Sequence, residues 1–159
     1  KLIAKLKCNP MTRAMRPDKF TLAALQAVLR LYTNPGRLAV ELPTLRWLSR
    51  DVAEIEQLAG RLVTTVQNHC KGFKVIVAPT HSQVGSGALP IDRLESAALK
   101  ISLPDRRQSG KSINKLAKAF RELPVPVIGR IADDALWFDL RCLEDENHFV
   151  ENLRSLAIV

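Results

Sequence analysis

Arg13 and Arg16 stand three positions apart in NPMTRAMRPDKF, immediately ahead of a segment that is apolar almost all the way round. On a solvated turn such a pair is surface charge with snorkelling stems. Facing a cleft, it is a fork for a doubly charged anion such as a phosphate, because each guanidinium presents paired donors in one plane. Arg130, in PVIGRI, poses the same choice: a solubilising charge on an edge strand, or an arginine aimed at a cleft. Elsewhere the chemistry is sparse. Gly85 and Gly87 form a Gly-x-Gly, but they lack the Lys-Ser/Thr of a phosphate loop and the third glycine of a dinucleotide fingerprint, so they read as a strand-to-strand link. His69, His81 and His148 lie apart from carboxylates and cysteines at ligand spacing, and no metal site is expected. The sequence offers no Ser-His-Asp order with an elbow motif and no paired carboxylates in an apolar setting. Asp133 and Asp134 read as a turn.

The 159 residues, 47% hydrophobic and 25% charged, suffice for one good core or two small ones. A formal net charge of +8 favours an anionic partner, nucleic acid or a phosphorylated ligand, although the lysines and arginines are spread along the chain. Cys8, Cys70 and Cys142 are odd in number, far apart and never in a CxxC pair, which argues against a disulfide framework or a zinc site and fits a reducing cytoplasm. No apolar run approaches a membrane span, and no signal or transit pattern is visible. The opening at Lys1, within a helical pattern of Leu2, Ile3 and Leu6, reads as a piece of a longer protein.

These side chains need elements to hold them. Asp18 is placed to cap a helix from Phe20 to Tyr32 whose girth of Leu, Ala and Val predicts burial on nearly all sides, with Asn34, Pro35 and Gly36 stopping it. A second helix, Asp51 to His69, has a cleaner amphipathic period through Ile55, Leu58, Leu62 and Val66, with Asp51 and Glu54 as a capping box. Phe73 to Ala78 and Ala97 to Leu103 read as strands of one sheet joined by THSQVGSGALP. Ile113, Leu116, Ala117, Phe120 and Leu123 mark another helix, ended by LPVPV. VIGRIADDALWFDLRCL alternates on both sides of Asp133 and Asp134, which predicts a hairpin with Leu136, Phe138 and Leu140 on one face and Trp137, Asp139 and Arg141 on the other. A last helix spans Asp145 to Leu156. The order predicts an α+β layer preceded by helices that belong to something larger.

NPMTRAMRPDKFTLAALQAVLRLY, ELPTLRWLSR, SQVGSGALPIDRLESAALKISL, RELPVPVIGRI and LWFDLRCLEDE follow one another from end to end of the chain. In order and spacing they resemble the C-terminal third of the bacterial selenocysteine synthases, L-seryl-tRNA(Sec) selenium transferases, which are pyridoxal-phosphate enzymes of fold type I. The resemblance implies that residues 1–44 are the end of a large domain and its bridging helix. Residues 45–159 would then be a C-terminal small α+β domain, a short, mainly antiparallel sheet covered by helices. It implies that Arg13 and Arg16 bind the selenium donor, selenophosphate; Arg130 stays open between an edge-strand charge and a further cleft-facing arginine. Pro17 departs from the family pattern and stiffens the link between Arg16 and the helix. The Schiff-base lysine that carries pyridoxal 5'-phosphate, the aspartate on the pyridine nitrogen and the tRNA-binding domain would all lie upstream of Lys1, so this chain alone is expected to be inactive.

The function implied is conversion of seryl-tRNA(Sec) to selenocysteinyl-tRNA(Sec) in the cytoplasm, by a homo-oligomer built as a ring of dimers, with no membrane or metal partner. Two other readings carry different expectations. A fold relative acting on a small amino acid would lack a tRNA-binding domain upstream. A stand-alone basic RNA-binding module would need interleaved exposed aromatics, and it would leave the apolar first helix with nothing to bury it.

Overall fold

In the computed structural model, which describes residues 1–83, 94–104 and 109–157, the chain divides into two compact units, Lys1–Arg46 and Trp47–Val159. The first is helical throughout: α1 (Leu2–Lys7), α2 (Met11–Ala14), α3 (Lys19–Leu31), α4 (Pro35–Glu41) and the opening of α5 (Pro43–Leu48). Asp18 caps α3, its carboxylate accepting from the backbone of Phe20 at 2.7 Å and of Thr21 at 2.9 Å. α3 ends at Leu31, and Pro35, expected only as a stop, instead opens α4 in its first turn, where a missing N–H costs no hydrogen bond. Helices α1 to α4 bury no residue, and Leu22, Leu25, Leu29 and Tyr32 of the apolar segment stay about half exposed.

The second unit is an α+β layer. It runs α6 (Val52–His69), β1 (Lys74–Ser82), β2 (Leu94–Ser102), α7 (Ser109–Arg121), β3 (Arg130–Ala132), β4 (Ala135–Asp139) and α8 (Glu146–Leu153). The strands form one antiparallel sheet in the order β1-β2-β4-β3. Asp51 caps α6 by accepting from Ala53 N, and Gly72, at φ 86°, makes the turn into β1 that a side chain would strain. β1 is longer than expected: it starts at Lys74 and continues through Pro79 and His81 to pair Ser82 with Leu94. Proline fits there because β1 is an edge strand. Most of the expected link, including Gly85 and Gly87, lies outside the described residues. Asp133 and Asp134, at φ 51° and 55°, form the two-residue left-handed turn that joins β3 to β4.

Alternation along the strands makes one sheet face apolar. Val75, Leu99, Ile101, Leu136 and Phe138 meet Ile55, Leu58, Leu62 and Val66 of α6, Ile113, Leu116 and Phe120 of α7, and Phe149 and Leu153 of α8. Phe120 and Phe138 stack tilted at 4.6 Å. Each such side chain contributes about 1.5–3 kcal/mol by leaving water, so this layer carries the stability of the unit. Arg141 corrects the expected two-faced pattern. It lies beyond the end of β4 and is 3% exposed, drawn inward by main-chain carbonyls. Among the described residues no helix is long and apolar enough to cross a membrane.

Candidate functional site

In the helical unit the arginine pair is set by local hydrogen bonds. Asn9 Oδ1 accepts from Met11 N at 2.9 Å and Thr12 Oγ1 donates to Leu6 O at 2.6 Å, which starts the single turn α2. Arg13 lies in that turn, Arg16 follows it, and Pro17 and the Asp18 cap then fix the entry to α3. Hydrogen bonds from Thr21 hold the Asp18 carboxyl below its usual range, so the cap persists in mild acid. Arg13 and Arg16 are both exposed, and neither meets a carboxylate among the described residues. Two unneutralised guanidinium groups carried three residues apart can take an anion.

In the α+β unit the strand register brings residues from four strands into one transverse row on the sheet face turned away from the helices. Ile76 is opposite Lys100, Lys100 opposite Trp137, and Trp137 opposite Arg130. Lys100 Nζ lies 4.7 Å from the Trp137 ring centre and the Arg130 guanidinium carbon 5.9 Å from it, so the indole stands between two cations. Trp137 Nε1 donates to Ala132 O at 3.0 Å, which fixes the ring. Among the described residues the one hydrogen bond of the Arg130 side chain is a long one to Thr80 Oγ1, 3.4 Å. Beside this row Asp139 accepts from the hydroxyls of Ser82 and Ser96, the latter at 2.7 Å, and from Arg141 N at 3.1 Å. A depression of about 560 Å³ opens here, lined by Thr80, His81, Ala98, Arg130, Trp137 and Asp139 among others.

A second depression, of about 420 Å³, is lined mainly by apolar residues of the segment 125–128, β4 and α8, and by Cys142. Burial, with the Asp139 carboxylate nearby, pushes the Cys142 thiol up, which disfavours its thiolate. Neither depression is lined by a lysine, and among the described residues no three His, Cys, Asp or Glu side chains gather to hold a metal ion.

Of the arginines singled out in the sequence, Arg13 and Arg16 share one turn of the helical unit, and Arg130 belongs to the other unit. Sequence reasoning passed over Lys100, Trp137 and Asp139. The signal was a lone lysine inside the apolar run AALKISL, which marks a strand with one open face. It also passed over Arg50 and Arg141. The Arg50 guanidinium donates to the carbonyls of Leu140, Arg141 and Leu143 (3.3, 3.1 and 2.7 Å), while that of Arg141 donates to those of Trp47, Leu48, Arg50 and Glu95.

The family model described as L-seryl-tRNA selenium transferase matches residues 1–144, which takes in the first unit, the second as far as α8 and every arginine named above. The chain belongs to that family. Among curated L-seryl-tRNA(Sec) selenium transferases, that of Klebsiella pneumoniae (strain 342) is 54% identical over 152 residues, 96% of this chain and 32% of the relative. Those of Escherichia fergusonii and Escherichia coli (strain SMS-3-5) are 52% and 53% identical over 153 residues, 96% of this chain and 33% of each relative. The chain thus spans about a third of the length of the selenium transferases it matches. The family match ends at residue 144, before α8, yet Phe149 and Leu153 of that helix complete the core.

Proposed function

We propose that this chain is the C-terminal part of an enzyme that converts seryl-tRNA(Sec) to selenocysteinyl-tRNA(Sec) with selenophosphate as selenium donor. The observation that carries the reading is 54% identity across 96% of the chain to a protein named for that transfer. In this reading the chain is the small domain and bridging helix of a fold type I enzyme, the boundary falls near residue 44, and the whole assembles as a cytoplasmic ring of dimers.

Pyridoxal phosphate, the cofactor the family implies, does not fit the residues present. An aldehyde cofactor needs a lysine in a sheltered, anion-holding site. The ten lysines here are exposed apart from the half-buried Lys100, which lies over an indole. The cofactor site is assigned to the remaining two thirds of the enzyme, and no step is routed through it here.

This chain's share is to bind and orient. Arg13 and Arg16 hold the donor's phosphate by charge-assisted, forked hydrogen bonds, which keeps the selenium pointed at its acceptor while neutralising a charge that would otherwise repel the RNA. The positive balance of the chain favours approach of the tRNA at a distance. The relatives' names carry a seryl-tRNA, which favours this reading over a tRNA-independent relative or a stand-alone RNA-binding module.

The test is a chimera in which this chain replaces the corresponding third of the Escherichia coli relative. Supplied with seryl-tRNA(Sec) and labelled selenophosphate, it should transfer selenium to the tRNA at a rate within about tenfold of the parent. A chimera that folds and binds its cofactor but transfers none overturns the reading.

A further inference from the structure

The open face of the sheet has a chemistry that anion binding alone does not explain. Its depression combines three kinds of group: a cation, Arg130; an indole, Trp137; and carboxylates, Asp139 and the turn's Asp133. A site for phosphate alone would exclude the carboxylate; a site for an apolar protein segment would not align two cations along one indole. Together the three match the parts of a nucleotide, with its phosphate, its flat base and the donor edge of that base.

The distances fit. A base slipped between Trp137 and Arg130 needs two van der Waals layers of about 3.5 Å each, so about 7 Å between the indole and the guanidinium. They stand 5.9 Å apart, and Arg130 is exposed with, among the described residues, one side-chain hydrogen bond, the 3.4 Å contact to Thr80, so a shift of about 1 Å admits the base. Lys100 lies closer to the indole, at 4.7 Å, in the middle of the sheet and half-buried, where it backs the ring. Asp139 presents about four acceptor sites. Among the described residues three are taken, by Ser82, Ser96 and Arg141 N, which leaves one for a donor in the depression. An exocyclic amine, as on adenine or cytosine, is such a donor; uracil offers only its N3–H, flanked by two carbonyl oxygens that a carboxylate repels.

Resting on the reading that a tRNA is the substrate, we infer that this depression seats an unpaired, amine-bearing nucleotide of the RNA's 3′ end. The base lies between Trp137 and Arg130, its amine donates to Asp139, and its phosphate pairs with Arg130. Every tRNA ends in the unpaired nucleotides CCA, each of them amine-bearing, so the site grips the strand that delivers the seryl group without reading the rest of the molecule.

The test uses the 159-residue chain with Trp47→Phe, which leaves Trp137 as its fluorophore. A single-stranded RNA pentamer ending in CCA should quench Trp137 and bind about tenfold tighter than one ending in UUU. Read by the anisotropy of an end-labelled pentamer, because these variants remove the fluorophore, Trp137→Ala should weaken CCA binding about tenfold, with Trp137→Phe restoring part of the loss. Arg130→Gln should lower the salt slope of binding by about one. Asp139→Asn should abolish the preference for CCA; if that variant unfolds, the base comparison and Trp137→Phe carry the test by themselves.

Binding without quenching, equal affinity for the two pentamers, or full competition by base-free polyphosphate overturns the assignment. So does quenching by an apolar peptide when RNA gives none. The pentamers carry no seryl ester and need no selenium donor. Intact seating with a chimera that transfers no selenium therefore refutes the activity and leaves the site, whereas intact transfer without quenching refutes the site alone.

Discussion

Gly129 is the residue through which β3 lies close against β4, and Gly129→Ala tests that packing. A Cβ built there would lie 2.8 Å from Leu136 Cδ1, 2.8 Å from Phe138 Cε1 and 2.8 Å from the carbonyl oxygen of Trp137. Carbon contacts settle at about 3.5–4.0 Å, so about 0.7 Å must be found in three directions at once. Leu136 and Phe138 are core residues, 0% and 4% exposed, and the third obstacle is backbone; none of them can swing aside. The strand itself must move, at a cost of about 1–3 kcal/mol for overpacking. For a unit near this size each kcal/mol is worth about 4–8 °C, so the melting temperature should fall by at least about 4 °C. Differential scanning calorimetry of the 159-residue chain reads it, with Gly60→Ala as the control. Gly60 is exposed in the middle of α6 with nothing within 4 Å of its Cβ position, and alanine there should stabilise by about 0.5–1 kcal/mol. Gly129→Ala melting with its parent while Gly60→Ala rises would show that β3 does not pack as described. Because Gly129 adjoins Arg130, the same variant should also weaken the CCA pentamer.

In the chimeric enzyme Arg13→Ala and Arg16→Ala should each reduce apparent donor affinity or turnover about ten- to a hundredfold, from a charge-assisted contact of about 1.5–3 kcal/mol, with lysine a partial rescue. Steady-state kinetics beside melting curves checks this; unchanged donor dependence with a large fall in melting temperature would make the pair structural. Hydrogen exchange of the isolated chain should show residues 20–32 far less protected than the sheet, because the apolar faces of α3 are half exposed. Protection equal to the strands in a monomer would contradict that. Burial pushes the Cys70 thiol up to about 12 from an ordinary 9.0. The folded state then holds a proton that the unfolded state releases, so this contribution to stability is complete below pH 9 and is lost as pH rises from 9 toward 12. Denaturant midpoints from pH 8 to 11 should fall more steeply for the parent than for Cys70→Ala, and parallel slopes would refute the burial of this thiol.

Periodicity alone located the core. Ile55 to Val66 on α6, Ile113 to Phe120 on α7 and the Leu136–Phe138 alternation all fall where the sequence pattern puts them, since their spacing leaves one apolar face each. The prolines of LPVPV follow the end of α7 as expected, but two other prolines do more than stop an element. Pro35 opens a helix because first-turn N–H groups have no partner anyway, and Pro79 sits inside β1 because that edge has no neighbour to miss its donor. The row from Ile76 to Arg130 was illegible for another reason: it depends on the register among strands separated by up to 54 positions, which no local spacing encodes. Arg13 and Arg16 were visible as a pair because both fall within one turn.

The crossed arginines have a consequence for how the sequence is free to drift. Arg50 and Arg141 address carbonyl oxygens, an atom every amino acid carries, so the joint they form asks nothing of the side chains at Leu140, Leu143, Trp47, Leu48 or Glu95. A joint made of ion pairs would tie each arginine to a particular acid, and a change in one would demand a change in the other. Here two codons hold the stretch between α5 and α6 against the end of β4, and neither arginine dictates which side chain accompanies the carbonyl it grips.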